Sequence, residues 1–289
     1  MIDILIGVLE QGFIYGIMAL GVYITYKILD FPDLSVDGTF PLGAAISAIL
    51  ITKGVNPWLA ILAALAAGAL AGLFTGIIHV KFRVQDLLSG IITMTALYTV
   101  NLRITGKANL PIFNEKTIFN SGIAEFLPKA YRVVIMVFIL VVVMKLLMDW
   151  YLKTRSGFLL FAAGDNKTLV TSLAKDQGKV KIMGLVLANA LVAMSGAVMC
   201  QQQRFFEITM GTGAIMIGLA SVIIGINLLK NITFIKATLA VVIGAVIYKG
   251  CIALAIALGL QATDMKLITA MLFLLVLTVN GRKKGDQHA

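Results

Sequence analysis

Along this chain the apolar positions come in long blocks, without the three-to-four-residue alternation of a surface helix. A helix needs roughly 20 mainly apolar residues to cross about 30 Å of hydrocarbon. On that rule the blocks predict spans at about residues 4–28, 57–80, 86–104, 129–151, 180–201, 212–229, 232–257 and 265–281. A further apolar stretch, about 42–52, is too short: at 1.5 Å per residue it covers only about 17 Å. The polar run before it, from Asp30 to Pro41, holds three carboxylates, Asp30, Asp33 and Asp37, and two prolines, Pro32 and Pro41, besides Ser35 and Thr39. Ser35, Asp37 or Thr39 can cap a helix whose first turn holds Pro41, where a missing N–H is harmless. The expectation is a half-helix that begins inside the membrane or near its edge, a device that lines polar pathways. The predicted architecture is an all-α polytopic transmembrane bundle of about eight spans plus this short broken half-helix. It is read as a single transmembrane domain over residues 1–289.

Composition confirms the class. Of the 289 residues, 60% are hydrophobic and 13% charged, with a mean hydropathy of +0.97. Soluble domains carry about 25% charged residues, and no single water-facing core of this size hides so much apolar surface. The net charge of +10 suits topology better than nucleic acid, because no RNA- or DNA-binding motif accompanies it. With the N-terminus outside, the inner loops and tail collect most of the Lys and Arg, including Lys153, Arg155, Lys175, Lys179, Lys181, Arg282, Lys283 and Lys284. The expected orientation is therefore N-terminus outside and C-terminus cytoplasmic. Met1-Ile2-Asp3 lacks the basic start of a signal peptide, so the first span is expected to be retained.

Two loops are long. The outer one, about 105–128, is polar. The inner one, about 152–179, contains Gly164-Asp165-Asn166, a helix-start signal, followed by Leu169, Val170 and Leu173 on one side. A short amphipathic helix there either docks a soluble partner or lies on lipid headgroups.

Catalytic and cofactor chemistry is not encoded. The chain has no phosphate-binding loop, no His-Glu-x-x-His and no Gly-x-Ser-x-Gly. His79, His288, Cys200 and Cys251 are too scattered for a metal site. No ATPase site, metal or cofactor is expected in this chain. Gly12-x-x-x-Gly16 and the tandem Gly68, Gly72, Gly76 read as close helix packing. Asn189, mid-span, must face a partner or a cavity, and Gln201 continues that polar line outward. Lys249 is either a cavity residue or one that snorkels. The segment from Glu207 to Gly213 echoes Asp33 to Gly43: acid, hydroxyl, glycine, then an apolar helix. Interruptions in corresponding places suggest an internal inverted repeat.

The run from Gly16 to Lys27, followed by Phe31 to Gly43, resembles the opening of the ABC importer permeases for branched-chain amino acids, ribose and nucleosides. Thr154 to Gly157 and Ala162 to Asn166 resemble that family's cytoplasmic coupling segment. Gly184, Asn189, Ser195-Gly196 and Gly211-x-Gly213 continue the match over nearly the whole chain. The pattern at Ser35 and Asp37 is most similar to a subgroup linked to aromatic amino acids. Phe161, where many relatives carry Arg, and Ala174, where Gly is usual, depart from it.

The resemblance implies a bacterial inner-membrane permease that pairs with itself or another permease. A cytoplasmic ATP-binding subunit and an extracytoplasmic solute-binding lipoprotein are its implied partners, and the solute is a small polar one, an amino acid that is aromatic in this subgroup. It assigns ATPase coupling to Gly157, Gly164, Asp165, Asn166, Leu169 and Leu173. Together with the break, it makes Asp33, Ser35, Asp37, Gly38, Thr39, Asn189 and Gln201 the pathway candidates. The competing readings are an ion-coupled secondary transporter and an ABC permease for a nucleoside or sugar.

Overall fold

The computed structural model describes residues 2–165, 176–230, 232, 234–259, 267, 269–271, 274 and 278. It is a helical membrane bundle. Seven helices among the described residues are long and apolar enough to cross a membrane, and Val36–Thr52 is a shorter apolar helix. The expected span at 265–281 lies almost wholly outside the described residues.

The chain begins with α1 (Ile2–Val22), which runs directly into a π-helical turn at Tyr23–Ile28. Then come α2 (Val36–Thr52), α3 (Pro57–Lys81) and α4 (Asp86–Thr105). After the outer loop follow α5 (Arg132–Leu152), the short α6 (Arg155–Asp165) and the long α7 (Gln177–Gln203). The last described helices are α8 (Ala214–Leu229) and α9 (Ala237–Ala257). Local signals fix several ends. Asn56 accepts a hydrogen bond from the Trp58 amide at 2.9 Å with Pro57 in the first turn of α3, and Asp176 does the same for Gly178 at the start of α7. Gly106, at φ 68°, closes α4 in the left-handed conformation that glycine tolerates.

The central element is α7, against which α1, α2 and α3 all pack. Glycines set how closely. Gly68, Gly72 and Gly76 of α3 lie against the α7 backbone at Asn189, Leu185 and Ile182, where a Cβ would collide. Gly12 of α1 lies against the α9 backbone at Val246 in the same way, and Gly16 packs closely on the Val242 side chain. Without a hydrophobic drive between helices in lipid, such backbone contact is what holds them together. The expected packing roles of both glycine series are therefore seen directly.

Three features differ from the sequence reading. First, α2 starts at Val36, not near residue 42, and its 17 residues extend about 26 Å at 1.5 Å per residue. Pro41 consequently lies inside the helix rather than in its first turn. Second, α6 ends at Asp165, so Gly164 and Asp165 close a described helix; Asn166, Leu169 and Leu173 lie outside the described residues. Third, the bundle carries a small sheet. In the outer loop β1 (Asn109–Pro111) pairs antiparallel with β2 (Phe205–Glu207), Asn109 opposite Glu207.

Candidate functional site

The candidate site is where two half-helices meet. The chain returns from the π turn at Leu29, and the loop through Asp33 leads into α2. From there α2 climbs beside α7: Ser35 bonds Asn189, Gly196 abuts the Phe40 carbonyl, and Ser47 bonds Gln201. On the other side of the break, β2 is followed by a 3-10 turn at Ile208–Gly211, and α8 then begins at Ala214. Gly218 of α8 rests on Val22 at the far end of α1. The two helices thus depart in opposite directions from one point, with their N-termini together.

Asp37 joins them. It is the second residue of α2, yet its carboxylate accepts from the backbone N–H of Gly213 and of Ile215, both at 2.9 Å. These are amides that α8 cannot satisfy within its own first turn. Negative charge at a helix N-terminus is also favoured by the helix dipole. The expected cap at this residue exists, but it closes the other helix. Gly211 makes the approach possible, because a side chain there would strike the Asp37 carbonyl and the Pro41 ring. Pro41 has no N–H for that same carbonyl, so the interior proline coincides with the spot where the second segment closes in.

Beneath this junction Asp33, Ser35 and Asn189 form a closed triad, each with no exposed surface. One Asp33 oxygen accepts from the Ser35 amide at 2.9 Å, and the other accepts from Asn189 Nδ2 at 2.8 Å. Ser35 Oγ donates to Asn189 Oδ1 at 3.1 Å, and Asn189 Nδ2 also donates to the Leu185 carbonyl at 3.2 Å. Asn189 therefore meets partners rather than lipid, as its mid-span position requires. Gly38 is pressed against Met94 of α4, and its carbonyl accepts from Asn101 Nδ2 at 3.2 Å. Thr39 is fully buried next to it.

Gln201 stands apart from this group. Its Oε1 accepts from the Ile118 amide at 2.9 Å, while its Nε2 donates to Ser47 Oγ at 3.1 Å and to the Pro57 carbonyl at 3.2 Å. It brackets the outer loop to α2 and α3. Gly157 and Gly164, the described glycines of the coupling set, lie toward the opposite end. Gly157 follows the turn between α5 and α6 and packs on Tyr151 and Leu152. Gly164 lies against the Ile28 carbonyl, where a Cβ would clash. The last residue of the π turn thus supports α6 directly, and Gly184 of α7 closes the same contact against Leu29 and Leu160.

Sequence reasoning did not find Tyr15, Phe40 and Lys249 as a group. The rings of Tyr15 and Phe40 lie nearly parallel, 5° apart with centroids at 5.7 Å, and Lys249 Nζ sits 3.9 Å from the Tyr15 centroid. The only signal in the sequence was a lysine deep in an apolar block. Among the described residues no cluster of metal-binding side chains is present.

Comparison with known proteins supplies the context. Residues 4–279 match the family model described as the branched-chain amino acid transport system / permease component. A tyrosine transport system permease protein of Clostridioides difficile is 46% identical over 270 residues, covering 93% of this chain and 89% of that protein. The ribose import permease of Escherichia coli K12 is 29% identical over 229 residues, 78% of this chain and 69% of its own length. Among solved structures, a chain of PsaBC from Streptococcus pneumoniae in complex with Fab has the same fold, with a TM-score of 0.54 at 12% identity, covering 93% of this chain and 89% of that one.

Proposed function

This chain belongs to the branched-chain amino acid transport permease family, and from that premise we propose that it forms the membrane pathway of an ATP-driven importer for an aromatic amino acid. It is a multi-pass membrane protein and a permease component. The solute assignment leans on the tyrosine permease, with which it shares 46% of aligned residues over most of both chains. In this reading the whole chain acts as one transmembrane unit in a bacterial cell membrane, N-terminus outside and C-terminus in the cytoplasm. Two permease subunits, two copies of this chain in the simplest case, flank the pathway. A binding protein delivers solute outside, and ATP-binding subunits close against the inner face.

The observation that carries the pathway reading is the meeting of α2 and α8 at Asp37. Broken helices are tolerated at membrane depth only where protein or a water-filled cavity meets their free backbone groups. Asp33, Ser35, Asn189, Gly38 and Thr39 support the junction from behind and hold its geometry, whereas Gln201 serves the outer loop.

Coupling follows from contacts already described. α6 and the segment after Gly164 take the push of the ATPases. Gly164 sits against Ile28, and Ile28 leads through Leu29 into the loop holding Asp33. A shift of α6 is therefore delivered to the base of the break. The π turn suits this task, because its wider i→i+5 bonding is an irregularity often found at functional sites; the Leu29 amide closes it on Ile24 O at 3.0 Å.

The test is uptake of radiolabelled tyrosine into proteoliposomes holding this chain with the ATPase and binding protein encoded beside it. ATP on the ATPase side should drive uptake and its omission should stop it. Uptake driven by an ion gradient without ATP would instead make the chain a secondary transporter.

A further inference from the structure

Lys249 is a cation buried in the bundle, with 6% of its surface exposed, on a helix that crosses the membrane. None of the ion pairs among the described residues includes it, and its Nζ lies over the face of Tyr15, 3.9 Å from the ring centroid. A charge inside a membrane bundle is expensive unless it is paired or meets water. The electron-rich ring offsets only part of that cost. An ammonium group carries three donors, and a ring face occupies one side of it. Among the described residues no carboxylate pairs with it.

The place of this amine matters. Tyr15 lies on α1 and stacks on Phe40, which belongs to the first turns of α2 only one turn beyond Asp37. Lys249 on α9 is thus connected through two rings to the junction of the half-helices. Phe40 is fully buried, while Tyr15 keeps part of its surface free. Two aromatic rings and a cation with no ion pair among the described residues consequently stand side by side, drawn from three helices.

The geometry points to Lys249 and Tyr15 as a solute subsite, in which the lysine takes the carboxylate of the transported amino acid and the part of Tyr15 left exposed meets its apolar or aromatic body. This inference rests on the amino-acid reading above for the identity of the solute, but the anion subsite itself can be tested separately.

Two measurements on the complete transporter in proteoliposomes do so. In the first, Tyr15→Cys is placed in a background carrying Cys200→Ala and Cys251→Ser. It is then treated with a sulfonate-bearing and a trimethylammonium-bearing methanethiosulfonate reagent, with and without ATP. The sulfonate should react about tenfold faster than the cation, and Lys249→Met should erase that preference, as expected for one charge a few ångströms away in a poorly screened site. In the second, labelled tyrosine uptake should fall at least about tenfold in Lys249→Met and stay within about threefold of the parent in Lys249→Arg, at equal amounts of chain in the membrane. Failure of both reagents to reach the introduced thiol in every nucleotide state overturns the subsite. So does a preference that ignores Lys249→Met, or full tyrosine uptake by Lys249→Met. If the preference depends on Lys249 while the parent transporter moves no amino acid, the subsite stands and the solute assignment falls.

Discussion

The carboxylate of Asp37 reaches across 176 positions of sequence to accept the backbone N–H of Gly213 at 2.9 Å. A residue in the first turn of α2 thereby caps the start of α8. The bond is intramolecular, but it functions as the pin between the two parts of the chain, and its removal has consequences that distinguish charge from shape.

Asp37→Asn keeps one acceptor but offers an NH2 group to the second amide, so one of the two cap bonds survives. Asp37→Leu removes both. Loss of a cap costs about 0.5–2 kcal/mol, and each buried donor left unpaired about 1–3 kcal/mol. Thermal unfolding in detergent should show a modest drop for Asn and a large one, with loss of extractable folded protein, for Leu. Equal stability of Leu and parent would mean that the cap is not needed.

The triad below the junction makes a sharper test. Asn189→Asp sets two carboxylates against one another, and Asp33→Asn removes the charged acceptor of the Ser35 amide. Each alone should destabilise by about 1–3 kcal/mol. The double exchange restores the Asp33–Asn189 pair with roles reversed, so it should recover most of the loss in a double-mutant cycle. Only the bond to the Leu185 carbonyl stays broken. Additive losses in the double variant would show that the two side chains do not act as a pair.

Ser35 has no exposed surface. A Ser35→Cys thiol should therefore stay silent to a small polar thiol reagent without nucleotide and react once ATP and the binding protein drive turnover. Equal labelling in both conditions, or none in either, would separate the triad from the moving part of the pathway.

Gly164→Val drives a branched side chain into the Ile28 carbonyl. The clash is confined to the contact of α6 with the π turn, so the variant should still insert, with a lowered unfolding temperature that is measured beside activity. ATP hydrolysis should persist while tyrosine uptake falls by at least about tenfold, an effect of about 1.4 kcal/mol or more on the coupled step. Coupled uptake at the parent rate would show that the contact transmits nothing.

The spans and the glycine contacts were legible in the sequence because both depend on local regularities: block length in one case, a four-residue spacing on a single helix in the other. The break near Asp33 was legible too, since three acids and two prolines have no other way to lie within an apolar chain. Its exact form was not. Rules for helix starts put Pro41 in the first turn, whereas α2 begins at Val36. What accommodates the proline inside the helix is Gly211, a residue from another segment. The same holds for Asp37, whose partner amides are distant in sequence, and for Gln201, whose three contacts depend on where the outer loop folds back. Tyr15, Phe40 and Lys249 come from three helices, and no spacing along the chain predicts that they meet.

The pairing of β1 with β2 now gains a meaning. β2 runs directly into the 3-10 turn and Gly213, so in the proposed transporter a force on the outer loop would reach Asp37 from one face, just as Gly164 and Ile28 would bring a force to Asp33 from the other. Two ligands that bias a single two-state element are bound by reciprocity: whatever factor one contributes to the affinity of the other must be returned in full. Docking of a loaded binding protein outside should tighten nucleotide-dependent closure inside by the same factor as closure changes docking. The transporter is then a lever with one fulcrum, and a leak in either direction would show itself as a broken equality between two binding constants.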